Sequence, residues 1–219
     1  HGTRLDMATE VVSNFAKRGL ELNAEGFLNT DWGDGGHRNT LAVSICSFAH
    51  GAAHAWNTIG TDDKKHVERF TDHTFNDSKG KMAAALRTLG EPESKQWAYA
   101  TFNEPLATAK PLFHFYGHDF IRMNDTDFPK EMFAKKEASF SKMDFTTLNQ
   151  SKAPFMKLMA EEFDLAVYME RLAWKRLGLA KRIRSTGKVS EKELKLHKTD
   201  LTSLSKTFAS TWKKLNRPS

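Results

Sequence analysis

The residues with the clearest chemical potential stand on one glycine-rich turn near the start of the chain. The turn reads DWGDGGH and carries Asp31, Trp32, Asp34 and His37 among three glycines. Glycine permits positive φ and close backbone approach, so the four side chains can be displayed on a tight turn. In folds that alternate strands and helices, ligands bind at such turns. The turn is therefore the predicted binding site.

Two pairs of histidines are a second candidate. His50 and His54 are four residues apart, and His114 and His118 repeat that spacing. Such a pair can bind zinc from one face of a helix. The first pair lacks the Glu of H-E-x-x-H, however, and neither pair has an obvious third ligand, so helix packing is the favoured interpretation. Cys46 reads as a buried structural cysteine. No metal ligand, catalytic residue or cofactor is predicted.

The elements that must position the turn are a strand and a helix. Gly26 to Thr30 reads as a short buried strand, and the Ala-rich run Leu41 to Trp56 reads as a helix that packs flat against other structure. Residues 4–24 precede this βα unit and have the spacing of an amphipathic helix. Its apolar stripe would be exposed unless the chain repacks around it.

The amino-acid sequence of this unit resembles that of a known family. TDWGDGGH, followed by an apolar helix that closes with GAAHAWN, resembles the last strand-loop-helix unit of the barrel in family 20 glycoside hydrolases, the β-N-acetylhexosaminidases, and in particular a bacterial branch. FASTWKKLNRP at Phe208 to Pro218 is similar to the end of the helical region that follows that barrel. The resemblance implies that residues 1–58 end a TIM-barrel-like catalytic domain and that residues 59–219 form a C-terminal helical region.

The resemblance also implies roles for the turn. Trp32 would supply an aromatic wall for an N-acetylhexosamine, Asp31 or Asp34 would accept hydrogen bonds from sugar hydroxyls, and His37 would lie nearby. The alternative is that Asp31 caps a turn and that Trp32 is a core residue. The sugar site is favoured for the parent enzyme, and the alternative is favoured for this chain by itself.

The family's catalytic pair is missing. Family 20 enzymes use an adjacent Asp-Glu pair, and no Asp-Glu dipeptide occurs in this sequence. The nearest substitutes, Glu161-Glu162 and Asp62-Asp63, read as solvated surface charge. A complete barrel also needs about 250 residues. We therefore expect this chain to be a C-terminal part of a longer enzyme and to be inactive by itself. Its expected partner is the remainder of the barrel. The helical region could also form a homodimer contact.

The rest of the chain is predicted to be mainly α. Apolar residues from Phe155 to Leu177 repeat at helical spacing and predict a long helix that ends near Gly178. Ser190 and Glu193 fit a capping box at the start of a second helix, so the two helices would form an antiparallel hairpin. Little or no sheet is expected, because a lone strand has no ladder partner.

Charge and hydropathy limit the alternatives. Residues 1–150 carry a net charge of −3, whereas residues 151–219 carry +9. The basic part could bind nucleic acid, but lysine-rich helix faces are the favoured explanation, since no nucleic-acid module accompanies the charge. A non-catalytic helical interaction domain is the other alternative. No apolar run is long enough to predict a membrane span.

Overall fold

The computed structural model describes residues 5–31, 39–90 and 130–216, and in this part of the chain the fold is helical without strands. The mainly α prediction is therefore confirmed. The helices are α1 (Leu5–Glu21), α2 (Leu41–Asn57), α3 (His66–Phe75), α4 (Lys81–Gly90), α5 (Lys130–Phe140), α6 (Thr146–Asn149), α7 (Pro154–Thr186) and α8 (Glu191–Leu215). Within the same residues, no helix is both long enough and apolar enough to cross a bilayer.

The chain forms two compact units. The described residues of His1–Glu91 and Asp144–Ala166 form the first, and those of Pro92–Met143 and Val167–Ser219 form the second. Helices α1 to α4 lie in the first unit and α8 lies in the second. Helix α7 begins in the first unit and ends in the second.

The first unit has a well-buried apolar core. Helix α1 contacts α2 and α4, and α3 contacts the same two helices. The ring of Phe163 on α7 lies 6.0 Å from the ring of Phe75 and 5.2 Å from that of Phe145, by centroid. Phe163 is completely buried. Burying such a side chain stabilises the fold by about 1.5–3 kcal/mol, so this aromatic cluster is a main source of the unit's stability.

The segment from Gly26 to Thr30 is neither helix nor strand. Leu28 is 87% exposed, so the buried strand expected here does not form. A single extended segment cannot satisfy its backbone groups without a neighbouring strand. The segment is held instead by Asn29, whose Nδ2 donates to the backbone oxygen of Ser47 on α2 at 3.4 Å. Gly51 permits this approach, since a Cβ there would collide with the Asn29 side chain.

Helix α1 leaves most of its apolar stripe in solvent. Leu5, Ser13 and Ala16 are buried, whereas Met7 and Phe15 are 53% and 68% exposed. The buried side of the helix therefore carries Leu5 and the two small residues Ser13 and Ala16. The exposure of Met7 and Phe15 matches the expectation that the stripe is exposed unless the chain repacks around it.

The second unit contains the remainder of α7 and all of α8. The long helix was predicted to end near Gly178. This prediction is wrong, because α7 continues to Thr186. A glycine inside a helix costs only about 1 kcal/mol, which neighbouring turns can offset. The turn that follows places Gly187 at a φ of +64°, a conformation that glycine adopts without steric cost.

The start of α8 confirms the predicted capping box. The Ser190 side chain accepts from the backbone nitrogen of Glu193, and the Glu193 carboxylate accepts from the backbone nitrogen of Ser190. Contacts between α7 and α8 include a hydrogen bond from the Tyr168 hydroxyl to the backbone oxygen of Asp200 at 3.0 Å. An ion pair at 2.6 Å joins Arg182 to Glu193.

Candidate functional site

Asp31 is the one predicted site residue that lies within the described part of the chain. Its Oδ2 accepts a hydrogen bond of 2.6 Å from the hydroxyl of Ser44, in the first turn of α2. Asp31 is exposed and Ser44 is buried. The hydrogen bond therefore orients the carboxylate from a rigid helix. Trp32, Asp34 and His37 lie outside the described residues.

A cavity of about 140 Å³ lies beside this carboxylate. Its walls come from α1, from the segment ending at Asp31, and from the first half of α2. Polar groups of Asn29, Asp31 and Ser44 share the lining with the apolar side chains of Val11 and Phe48. Small-molecule pockets usually enclose about 300–1,000 Å³, so this cavity could enclose only part of a sugar-sized ligand.

A second cluster lies between α2 and the loop that follows it. It consists of His50, His54 and Asp63, hereafter the histidine cluster. The Nε2 atoms of the two histidines lie 2.9 and 2.7 Å from the same carboxylate oxygen, Oδ1 of Asp63. The exposed fractions of the histidine side chains are 1% and 0%, and that of the Asp63 side chain is 28%.

Local structure explains how the three groups meet. His50 and His54 lie one turn apart on α2, so their rings project from the same face. Asp62 fixes the loop, because its Oδ1 accepts from the backbone nitrogens of Lys64 and Lys65 at 3.2 and 3.3 Å. This side-chain turn contains Asp63, whose carboxylate reaches the two histidines of α2.

The second oxygen of Asp63 is held from α1. Ser13 donates its hydroxyl to Oδ2 at 2.7 Å, and the Lys17 ammonium lies 3.4 Å from the same atom. Burial raises the pKa of Asp63, but hydrogen bonds from His54, Ser13 and His50 outweigh burial and hold the pKa far below its usual range. The carboxylate is therefore ionised and accepts bonds at both oxygens.

Because Asp63 can only accept, the two histidines donate from Nε2. Burial lowers the pKa of His50 from its usual value, which favours the neutral ring. The Nδ1 atoms of His50 and His54 are buried and have no hydrogen-bond partner among the residues that the structure describes. Within this part of the chain, each ring is thus anchored through Nε2.

The cluster is bordered by His66 and Cys46. The His66 ring lies 4.6 Å from that of His50, by centroid, and its Nε2 donates to the backbone oxygen of Cys46 at 3.0 Å. Burial raises the pKa of the Cys46 thiol to about 12. The thiol is therefore protonated near neutral pH, which agrees with its interpretation as a structural residue.

The acidic pair on α7 also differs from expectation. Glu162 is 2% exposed, so its interpretation as solvated surface charge was wrong. Its Oε2 accepts from the backbone nitrogen of Ala42 at 2.6 Å. Thr40 occupies the N-cap position of α2 without a side-chain cap bond, and Glu162 supplies the missing acceptor from a distant part of the chain.

Sequence reasoning found the two histidines but missed their third group. Asp63 lies nine residues after His54, on a loop, and it also was interpreted as solvated charge. The available signal was Asp62, since an aspartate side chain often accepts from the backbone two residues on and so favours a turn at that point. Comparisons with protein-family models, with curated proteins and with solved structures give no match.

Proposed function

We propose that this chain is the C-terminal part of a β-N-acetylhexosaminidase-like glycoside hydrolase. In this proposal residues 26–57 end the catalytic barrel as its last βα unit, in which Gly26 to Thr30 would pair as a strand only beside the remainder of the barrel. They supply one wall of the sugar pocket without the catalytic Asp-Glu pair. The α7–α8 pair would be an antiparallel hairpin within a helical region that braces the barrel. The sequence resemblance gives the enzyme class, and the Asp31 environment gives it a physical basis.

The observation that carries the proposal is the hydrogen bond from Ser44 to Asp31. A carboxylate that binds sugar hydroxyls must be held in one orientation, because its acceptor directions decide which hydroxyls fit. Ser44 provides this from a buried position on α2. The adjacent cavity offers both polar and apolar surface, which matches the mixed surface of a pyranose.

The exposed stripe of α1 supports the same proposal. Met7, Val11 and Phe15 are 53%, 48% and 68% exposed, although their spacing is that of a core-facing helix. In a complete barrel the helices pack against neighbouring strands and helices. We therefore propose that this face is covered by the remainder of the barrel, which would also complete the cavity beside Asp31.

The test uses the complete gene product that contains these 219 residues. It should hydrolyse a chromogenic N-acetyl-β-glucosaminide and carry an Asp-Glu pair at a strand end, and this chain alone should not hydrolyse it. Asp31→Ala should lower kcat/KM by roughly 10- to 150-fold, the equivalent of losing one charged hydrogen bond of about 1.5–3 kcal/mol. Asp72→Ala, at an exposed site on α3, is the matched control and should leave kcat/KM unchanged.

Two results would overturn the proposal. One is a complete gene product that has no Asp-Glu pair and does not hydrolyse the glycoside. The other is an active enzyme in which Asp31→Ala and Asp72→Ala behave alike. The first result would favour the non-catalytic helical interaction domain, with the α1 stripe as its contact surface.

A further inference from the structure

We propose that the histidine cluster is a binding site for a divalent transition metal of the zinc class. His50 and His54 would bind the metal through Nε2, and Asp63 would bind it through Oδ1. The inference does not rest on the proposed hydrolase function, because it uses only residues outside the sugar wall.

The positions of the donor atoms fit a single ion. The ligand atoms of the three residues all lie within 4.8 Å of one another. Zinc bonds of about 2.0–2.2 Å in tetrahedral geometry require donor atoms roughly 3.3 Å apart. The present Nε2 to Oδ1 distances of 2.9 and 2.7 Å are hydrogen-bond distances. Exchanging the bridging protons for a metal therefore requires Oδ1 to move away from each Nε2 by only about 0.5 Å.

The Asp63 carboxylate is the donor that can move to make room for the ion. His50 and His54 are fixed by α2, where each ring is fully buried. Asp63 lies between the end of α2 at Asn57 and the start of α3 at His66. A loop carboxylate can shift by a few tenths of an ångström more readily than two helical rings. Its partial exposure also provides a path by which the ion can enter.

The donor types select the metal. Two imidazoles and one carboxylate match the three-ligand sets of zinc sites that leave a fourth position for water. Imidazole suits zinc, copper, nickel and iron, whereas Mg²⁺ and Ca²⁺ prefer oxygen ligands throughout. Among the described residues, the group of converging ligand atoms consists of His50, His54 and Asp63 and does not include the nearby Cys46.

Supporting contacts are already in place around the carboxylate. Ser13 and Lys17 hold Oδ2 of Asp63, which leaves Oδ1 directed at the histidines. Such outer contacts orient metal ligands, and their loss typically costs 10- to 100-fold in metal affinity. A metal that takes Nε2 moves the ring proton to Nδ1, and in the described part of the chain neither Nδ1 has a hydrogen bond that this shift would break.

The arrangement also exceeds what helix packing requires. Burying a polar imidazole costs free energy that burying an apolar side chain would not. This fold carries two such rings on one helix face, both directed at the same ionised oxygen. Metal coordination gives that pairing a chemical reason.

The experiment is a Zn²⁺ titration of the 219-residue chain by isothermal calorimetry, with Co²⁺ absorption as a spectroscopic probe. We expect one ion per chain at this site and Co²⁺ bands typical of a tetrahedral site. His54→Gln and Asp63→Asn should each lower the affinity at least tenfold, since losing a ligand costs at least as much as losing an outer contact. Ser13→Ala should lower it to a smaller extent.

Two control variants separate this site from other histidines. His73 is exposed on α3, so His73→Gln should bind Zn²⁺ as the wild type does. The double change His114→Gln with His118→Gln removes the other histidine pair in the sequence and should also leave the affinity unchanged. If the double variant loses Zn²⁺ binding instead, the proposal is overturned.

A measurement on the wild type avoids dependence on variant folding. The X-ray absorption spectrum of the zinc-loaded chain should show two imidazole ligands together with oxygen donors. A spectrum with oxygen ligands only would overturn the proposal. So would a Zn²⁺ affinity that is equal in the wild type, His54→Gln and Asp63→Asn, once circular dichroism shows that all three are folded.

Discussion

Replacing Glu162 tests whether a carboxylate from α7 caps α2. The Glu162 carboxylate accepts from the backbone nitrogen of Ala42, and both residues are buried. Burial raises the pKa of Glu162, and the hydrogen bond from Ala42 opposes this increase. The residue therefore carries a desolvation cost that its capping bond must exceed if the contact is to stabilise the fold.

The expected magnitude follows from this balance. Glu162→Ala removes a hydrogen bond to a charged group, worth about 1.5–3 kcal/mol, and leaves the Ala42 N–H unsatisfied in the interior. Relief of the buried charge offsets part of the loss, so we expect a decrease of about 2 kcal/mol in the free energy of unfolding. For a chain of this size that corresponds to a Tm lower by roughly 4–8 °C.

Glu162→Gln provides the decisive comparison. Its amide oxygen can still accept from Ala42, so the variant loses only the favourable charge at the helix N-terminus, about 0.3–1 kcal/mol, and avoids the cost of burying a charge. Urea unfolding followed by circular dichroism measures all three proteins. Glu10→Ala, at an exposed position on α1, should lie within about 0.5 kcal/mol of the wild type. If Glu162→Ala is equally neutral, the capping role is refuted.

Two further predictions concern buried groups of the first unit. Cys46 should resist alkylation in the native chain and react only after unfolding in urea, because its thiol is buried and its pKa is about 12; rapid modification of the folded protein would contradict this. Burial lowers the pKa values of His50 and His66, so their contribution to stability is complete above the unfolded pKa of about 6.5 and is lost as the pH falls below it. The free energy of unfolding should then decrease between pH 7 and 5.5 by up to about 1.4 kcal/mol per pH unit for each histidine. Urea midpoints across that range provide the measurement, His66→Gln should flatten the profile, and a flat wild-type profile would refute the assignment.

Local patterns in the sequence were enough to predict the four longest helices in the described part of the chain. The spacing of apolar residues predicted α1 and the long α7, because a helix that buries one face must repeat at 3.6 residues per turn. The Ala-rich composition of Leu41 to Trp56 predicted α2. Ser190 and Glu193 predicted the start of α8 because a capping box is satisfied entirely within four residues. The end of α7 was misplaced because Gly178 is a weak local signal, and the longer helix overrides its cost.

Tertiary structure decided the site and the polar interior. The sequence could place His50 and His54 on one face of α2, but only the folded loop brings Asp63 onto both rings. It could not show that Glu162 is buried, because the backbone nitrogen that it accepts from belongs to Ala42, 120 residues earlier. The conformation of the segment before Asp31 is also decided by tertiary structure. A strand is defined by its neighbours, so whether Gly26 to Thr30 forms one depends on which chain segments lie beside it, which its own residues do not specify.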